Sequence, residues 1–301
     1  MKLLTPLLVI ALIAVANFSQ EPGQKPASSE KRSVNPEVDR ELNQIASLYR
    51  AGNFAEAQRH AEHAVSLEPT NLTAAIFLAR VRHQRYRPAD NQPQNLELAR
   101  TAIDAYQTVL TLDSQNEEAY KAIAVLYASI HQEELLKAWI MQRAINPQVS
   151  NQKRAEAYAI LAGKNWDCSF RFTELPDHKL LDSTKTGSVV TFKMGDDLAE
   201  FQRIKQCVTN GLEMADAAIL LEYENEAAWS YKTNLFLEAA KLAEMEGLDL
   251  AKADFERQAK EAGKQAVRIS EKRRRAEGSI DGGLEILPRP LPPPRVPKPL
   301  S

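Results

Sequence analysis

Two cysteines, Cys168 and Cys207, and five histidines are the side chains in this 301-residue sequence best suited to chemistry near neutral pH. His60 and His63 stand three apart, close enough to share one helix face and hold a metal weakly, although a solvated face is the simpler reading. Cys168 and Cys207 are too far apart in sequence to form a C-x2-C metal or redox motif. A glycine-rich phosphate loop and a G-x-S-x-G nucleophile turn are both missing from the sequence. Catalysis needs a convergent acid, base, nucleophile or metal set, and none is recognisable here. The expectation is therefore a protein that is not an enzyme and that needs no cofactor, metal or small-molecule substrate.

Charge leads the same way. The formal charge is −2, so no whole-molecule field steers the chain to nucleic acid. The cationic run Lys272 to Arg275 suits the C-terminal end of a helix, and at most a peripheral contact with a membrane.

The elements that would carry these residues are helical. Glycine is scarce, with 11 residues, and the aromatic rings stand singly in alanine-rich stretches, which suits helices packed through small contacts. Residues 1–16 read as an export signal: Lys2, an apolar run from Leu3 to Val15, and Ala14 and Ala16 spaced as A-x-A. Cleavage after Ala16 is expected, with retention as an anchor the alternative, because the run is short for a spanning helix. Either way the chain is expected to be exported, to a periplasm, a cell envelope or the secreted space. Residues 17–36, rich in Pro, Ser, Gln and Lys, cannot bury enough surface to fold and read as a tether. Residues 278–301 end in a proline-rich run that favours extended polyproline II and reads as a disordered tail.

Between them the sequence repeats. Leu67-Glu68-Pro69-Thr70-Asn71 returns as Leu112-Asp113-Ser114-Gln115-Asn116, with echoes at Ile145-Asn146-Pro147 and Leu221-Glu222-Tyr223-Glu224-Asn225. Each echo closes one amphipathic stretch and precedes another. Tyr120-x2-Ile123-Ala124-x2-Tyr127 resembles the W-x2-L-G-x2-Y first helix of the tetratricopeptide repeat, and Ala102-x3-Tyr106 resembles its second. The first unit adds Gly52-Asn53-Phe54 as an inter-helix turn, with Ala57, Ala61 and Ala64 on the packing face. Tyr158-x2-Leu161-Ala162 and Trp229-x2-Lys232-Thr233-x2-Phe236 open two more units.

The resemblance to the tetratricopeptide family covers about residues 37–270. It implies an all-α, right-handed superhelical solenoid of about five antiparallel helix pairs within 37–277, placed at 37–69, 72–114, 117–147, 153–223 and 226–275. Units longer than the family period of about 34 residues must carry extra material. One addition falls near Arg85 to Gln94, where two prolines predict an irregular, exposed loop. A larger one, 167–197, interrupts the fourth pair, where Ser169 to Thr173 and Ser188 to Lys193 alternate in a way that admits a small β-hairpin.

In the family that these repeats resemble, first helices line a concave face that receives a peptide or a partner helix. By register that face would include Tyr49, Arg50, Arg80, His83, Lys121, Trp166 and Asn234, a mixture suited to an extended peptide with acidic character. Trp166 has a second reading, buried beneath the insertion. Helix-pair register also sets Cys168 and Cys207 at facing levels at the neck of the insertion. A disulfide and two buried thiols remain equally open readings. The function implied is a protein-interaction scaffold. Its alternatives are an assembly protein that multimerises through the repeat ends and a hydrolase with its site in the insertion.

Overall fold

The structure, a computed structural model, describes residues 35–184 and 187–278. The expected export signal, most of the tether and the proline-rich tail beyond Gly278 lie outside the described residues.

The chain forms antiparallel helix pairs in series: α1 (Pro36–Arg50) with α2 (Phe54–Leu67), α3 (Leu72–Arg85) with α4 (Pro93–Leu112), and α5 (Glu117–Ser129) with α6 (Glu133–Ile145). They continue as α7 (Asn151–Thr173) with α8 (Leu198–Leu221), and α9 (Glu226–Met245) with α10 (Asp249–Gly278). A hairpin, β1 (Lys179–Thr184) and β2 (Gly187–Phe192), sits between α7 and α8. The fold is therefore an all-α stack of five helix pairs among the described residues, with one small antiparallel sheet in the fourth.

The recurrent asparagine has a structural cause. Asn35, Asn71, Asn116 and Asn225 each cap a first helix, their side-chain oxygens accepting from the backbone N–H of Glu37, Ala74, Ala119 and Ala228 at 3.0–3.1 Å. Each such cap stabilises its helix by about 1 kcal/mol. Asn35 and Pro36 thus belong to the array, although composition alone assigned them to the tether; proline suits the first helical position, where its missing N–H has no partner to lose.

Turns within three of the pairs share one geometry. Gly52, His131 and Gly247 occupy the middle of three-residue turns with φ of 74°, 57° and 69°. The N–H after each closes onto the helix just ended, Asn53 to the Leu48 carbonyl, Gln132 to that of Tyr127 and Leu248 to that of Ala243, each at 2.9 Å. This left-handed closure satisfies carbonyls that would otherwise be orphaned at the helix end.

Packing follows the small residues. Ala57, Ala61, Ala64, Ala74 and Ala79 are fully buried, as are Ile45, Val81 and Val109, so neighbouring helices approach closely over the first two pairs. The second pair absorbs its extra residues partly by lengthening α4 to 20 residues. Its connecting segment is non-helical but not simply exposed. Asn95 is buried and bonds the N–H and carbonyl of Arg87 and the carbonyl of Asp90, while the buried Tyr86 donates its hydroxyl to the Ser129 carbonyl of the next unit. A polar side chain with such bonds can be buried without penalty, which composition alone does not reveal.

The fourth pair also departs from expectation. Ser169 to Thr173 is not a strand: it is the last turn of α7, with Ser169, Phe172 and Thr173 buried at helical spacing. Five residues are too few to separate a period of 2 from one of 3.6. The hairpin uses Lys179 to Thr184 instead, pairing Lys179 with Phe192 and Thr184 with Gly187. Phe192 packs with Phe172, Phe201, Ile204 and Leu242, which docks the hairpin on α8 and α9. Most of the insertion's neck is therefore helix, α7 and α8 running to 23 and 24 residues.

Candidate functional site

The seven residues predicted to line one face divide into three settings. Tyr49, Arg80 and His83 lie along a seam from α1 to α5. Arg80 donates from Nε and Nη2 to both carboxylate oxygens of Glu118 at 2.5 Å, a bidentate pair across adjacent first helices. Glu118 is held below the usual carboxylate range by that hydrogen bond, and Arg80 is raised by it. Tyr49 stacks edge-on against Phe54, with centroids 5.4 Å apart. His83 meets the buried Tyr106 edge-on, and burial pushes its imidazole down from the ordinary value. This seam holds helices together, and its cation is already engaged.

Arg50 is exposed at the end of α1, where its Nε turns back to the Ala46 carbonyl at 3.0 Å. Trp166 packs between α7 and α9 against Tyr231 and Phe170, with centroids 6.2 and 5.0 Å away. It is half-buried in a helix interface, neither open as a stacking platform nor covered by the hairpin, whose Phe192 packs in a different cluster. Asn234 is half-buried on α9.

Lys121 is the member that opens onto a cavity. A groove of about 420 Å³ runs between α5 and α7. The buried Leu136 and Ile140 of α6 belong to its lining, and the small Ala124, Ala128 and Ala157 leave room above them. Val125 and Ile160 line it too and remain 55% and 48% exposed. Around it stand Lys121, Arg143, Lys153 and Lys164 with Glu117 and Glu156. Lys121 is exposed and, among the described residues, has no ion-pair partner. Burial alone would raise Glu117, but hydrogen bonds from Arg143 of α6 and Lys153 of α7 hold it below the usual range, and they fix the three helices around the groove's end.

Val125 and Ile160 were not singled out from the sequence. Their signal was an apolar residue lying off the signature packing face of a first helix.

The two cysteines lie face to face as a disulfide, with Cα atoms 6.3 Å apart. They face each other as register implied, but Cys168 lies inside α7, not just past it, and Cys207 lies well inside α8, not at its start. Both helices extend past the level at which an unmodified pair would turn.

His60, His63 and His178 are each engaged with a neighbouring element. The Nδ1 atoms of His60 and His63 lie 2.6 and 3.2 Å from the two carboxylate oxygens of Glu41, so the histidines tie α2 to α1. Within the insertion, His178 is buried on the Phe172 ring and its Nδ1 meets the Lys193 carbonyl at 3.3 Å, not a hydroxyl or carboxylate. Among the described residues no group of three or more His, Cys, Asp or Glu side chains is arranged to hold a metal ion.

The Glu41 contacts carry a pH prediction. The hydrogen bond from His60 holds the Glu41 carboxyl below its ordinary value. A depressed folded-state value contributes stability above the unfolded pKa of about 4.3, and that contribution is lost as pH falls through the folded value. Replacement Glu41→Gln should therefore lower Tm at pH 7 by the equivalent of at most about 1 kcal/mol. The gap to the parent should close below about pH 4, as thermal melts across that range will show. A gap that is constant with pH would mean that the carboxylate charge plays no part.

The architecture is a stack of antiparallel helix pairs, the arrangement implied by the resemblance of the sequence to tetratricopeptide repeats. No family model matches the sequence, and no curated protein is significantly similar to it. Among solved structures, similarity is found to MamA, at 13% identity and a TM-score of 0.36, covering 85% of this chain and 100% of that one. It is also found to YrrB, described as a TPR protein with an unusual peptide-binding site, at 12% identity and a TM-score of 0.39, covering 82% and 93%. The fold follows from this chain's own helix pairing.

Proposed function

We propose that this protein is a non-enzymatic interaction scaffold that takes an extended peptide or a partner's helix into the groove between α5 and α7. The observation that supports this reading is the pair of exposed apolar side chains, Val125 and Ile160, on a groove whose lining includes the uncommitted cation Lys121. Apolar surface left open beside an apolar floor stabilises a complex when a partner covers it, and a nearby free cation selects for acidic character. Export is part of the same proposal. Its support is the apolar run Leu3 to Val15 ending at Ala14-Val15-Ala16, together with a cysteine pair suited to an oxidising compartment. Among the described residues no helix is long and apolar enough to cross a membrane.

The test begins with a photo-reactive residue at Ile160 in the source cell, which identifies what the groove holds. The variant Ile160→Asp should then bind that partner at least about tenfold more weakly, the effect of one lost apolar anchor, with helicity and Tm nearly unchanged. Lys121→Ala should flatten the salt dependence of binding. If Ile160→Asp binds the captured partner as tightly as the parent does, the groove is not the contact.

A further inference from the structure

The groove has a candidate occupant within this chain. The last helix, α10, ends at Gly278, and residues 279–301 follow outside the described residues. Near its end, Ile269 and Lys272 of α10 line a hollow of about 620 Å³ together with Gln152 and Glu156 of α7. Glu156 also lines the α5–α7 groove, so the chain leaves α10 beside the mouth of that groove. From Glu156, Ile160 lies one helical turn farther along α7, a rise of roughly 6 Å. Six residues beyond Gly278 can span roughly 20 Å, enough to carry Leu284 from the end of α10 toward that level.

What arrives there has matching chemistry. The sequence after Gly278 runs Ser279-Ile280-Asp281-Gly282-Gly283-Leu284-Glu285-Ile286-Leu287, followed by Pro288. Leu284, Ile286 and Leu287 are apolar and suit a lining that includes Leu136, Val125 and Ile160. Asp281 and Glu285 are the acidic residues between Gly278 and the end of the sequence; on the groove Arg143 and Lys153 pair with Glu117 and Lys164 with Glu133, so the cation they would meet is Lys121. Beyond Pro288 the charged residues are all cationic, Arg289, Arg295 and Lys298, so an acidic-apolar ligand is confined to the segment nearest the groove.

We infer that Asp281 to Leu287 is a ligand in cis for the α5–α7 groove, so that an outside partner binds by displacing it. This rests on reading the groove as a peptide site. A short tether gives such a segment an effective concentration on the order of millimolar. A weak intrinsic affinity then suffices to keep the groove covered, and only a partner that binds better, or an event that alters the segment, opens it.

Two measurements on the full chain test this. In the first, benzoylphenylalanine replaces Val125 and is photolysed at low micromolar concentration. Peptide mapping should find an intramolecular link to residues 279–290. In the second, a labelled synthetic peptide of residues 279–290 is titrated into the parent and into the full-chain variant Leu284→Asp, Ile286→Asp, Leu287→Asp. The variant should take the peptide at least about tenfold more tightly, because its groove is no longer covered in cis. The inference is overturned if the two proteins bind the peptide equally, if neither binds it, or if photolysis links two copies. The last outcome would make the occupant a second chain. These results are separable from the partner-site reading: if the tail measurements fail while Ile160→Asp still loses its partner, the groove stands and the cis ligand does not.

Discussion

Reducing the Cys168–Cys207 bond should lower the unfolding free energy by roughly 3–4 kcal/mol, the loop-closure entropy expected for a closed segment of this length. The cysteines are 39 positions apart and enclose the ends of α7 and α8 and the whole hairpin, the longest connection within any pair among the described residues. Without the bond, the unfolded chain gains the freedom of that segment, while the native state loses only one contact between two long helices. Urea unfolding with and without reductant measures the effect, and the double variant Cys168→Ser, Cys207→Ser should match the reduced parent. Alkylation without reductant should leave both thiols unlabelled. Equal midpoints in the two redox states, or quantitative labelling of the unreduced protein, would show that the cysteines are independent buried thiols.

Lys241→Met should cost about 3 kcal/mol, because it leaves a buried carboxylate uncompensated. Glu238 is 2% exposed in the middle of α9, where its carboxylate accepts from the Thr173 hydroxyl at 2.7 Å and from Lys241 Nζ at 2.8 Å. The same ammonium reaches Glu174 at 3.2 Å and lies 5.1 and 5.4 Å from the Phe192 and Phe170 ring centroids. One cation thus fastens the end of α7, the second strand and α9. Adding Glu238→Leu to Lys241→Met removes the stranded charge and should recover much of the loss. Denaturant melts of both singles and the double form the cycle. If the double variant is no more stable than Lys241→Met, the ion pair is not the source of the cost.

The helical stack was legible because its signals are local and repeated. Alanines and rings at helical spacing mark each packing face, and an asparagine marks three of the four restarts, Asn71, Asn116 and Asn225, with Ser150 at the other. The interior of the fourth pair was harder to read. There Ser169 to Thr173 fits either period, and the residues that decide between them, Phe201 and Glu238, are distant in sequence. The site was legible only in part. Lys121 follows from register, but the engagement of Arg80 depends on Glu118, a residue 38 positions later in the next unit. The groove itself arises from small residues on α5 and α7 above larger ones of α6, and no single unit displays that coincidence.

Length varies at one end of the stack only. Connections between pairs stay short, at residues 68–71, 113–116, 146–150 and 222–225, while those within pairs range from the three-residue turns to 86–92 and 174–197. Antiparallel pairing puts the first kind at one rim and the second kind at the other. A lineage of such proteins can therefore accumulate new sequence along the permissive rim without altering the spacing of the first helices. The hairpin occupies that permissive rim, so its size can change while the stacking of the first helices is left as it is.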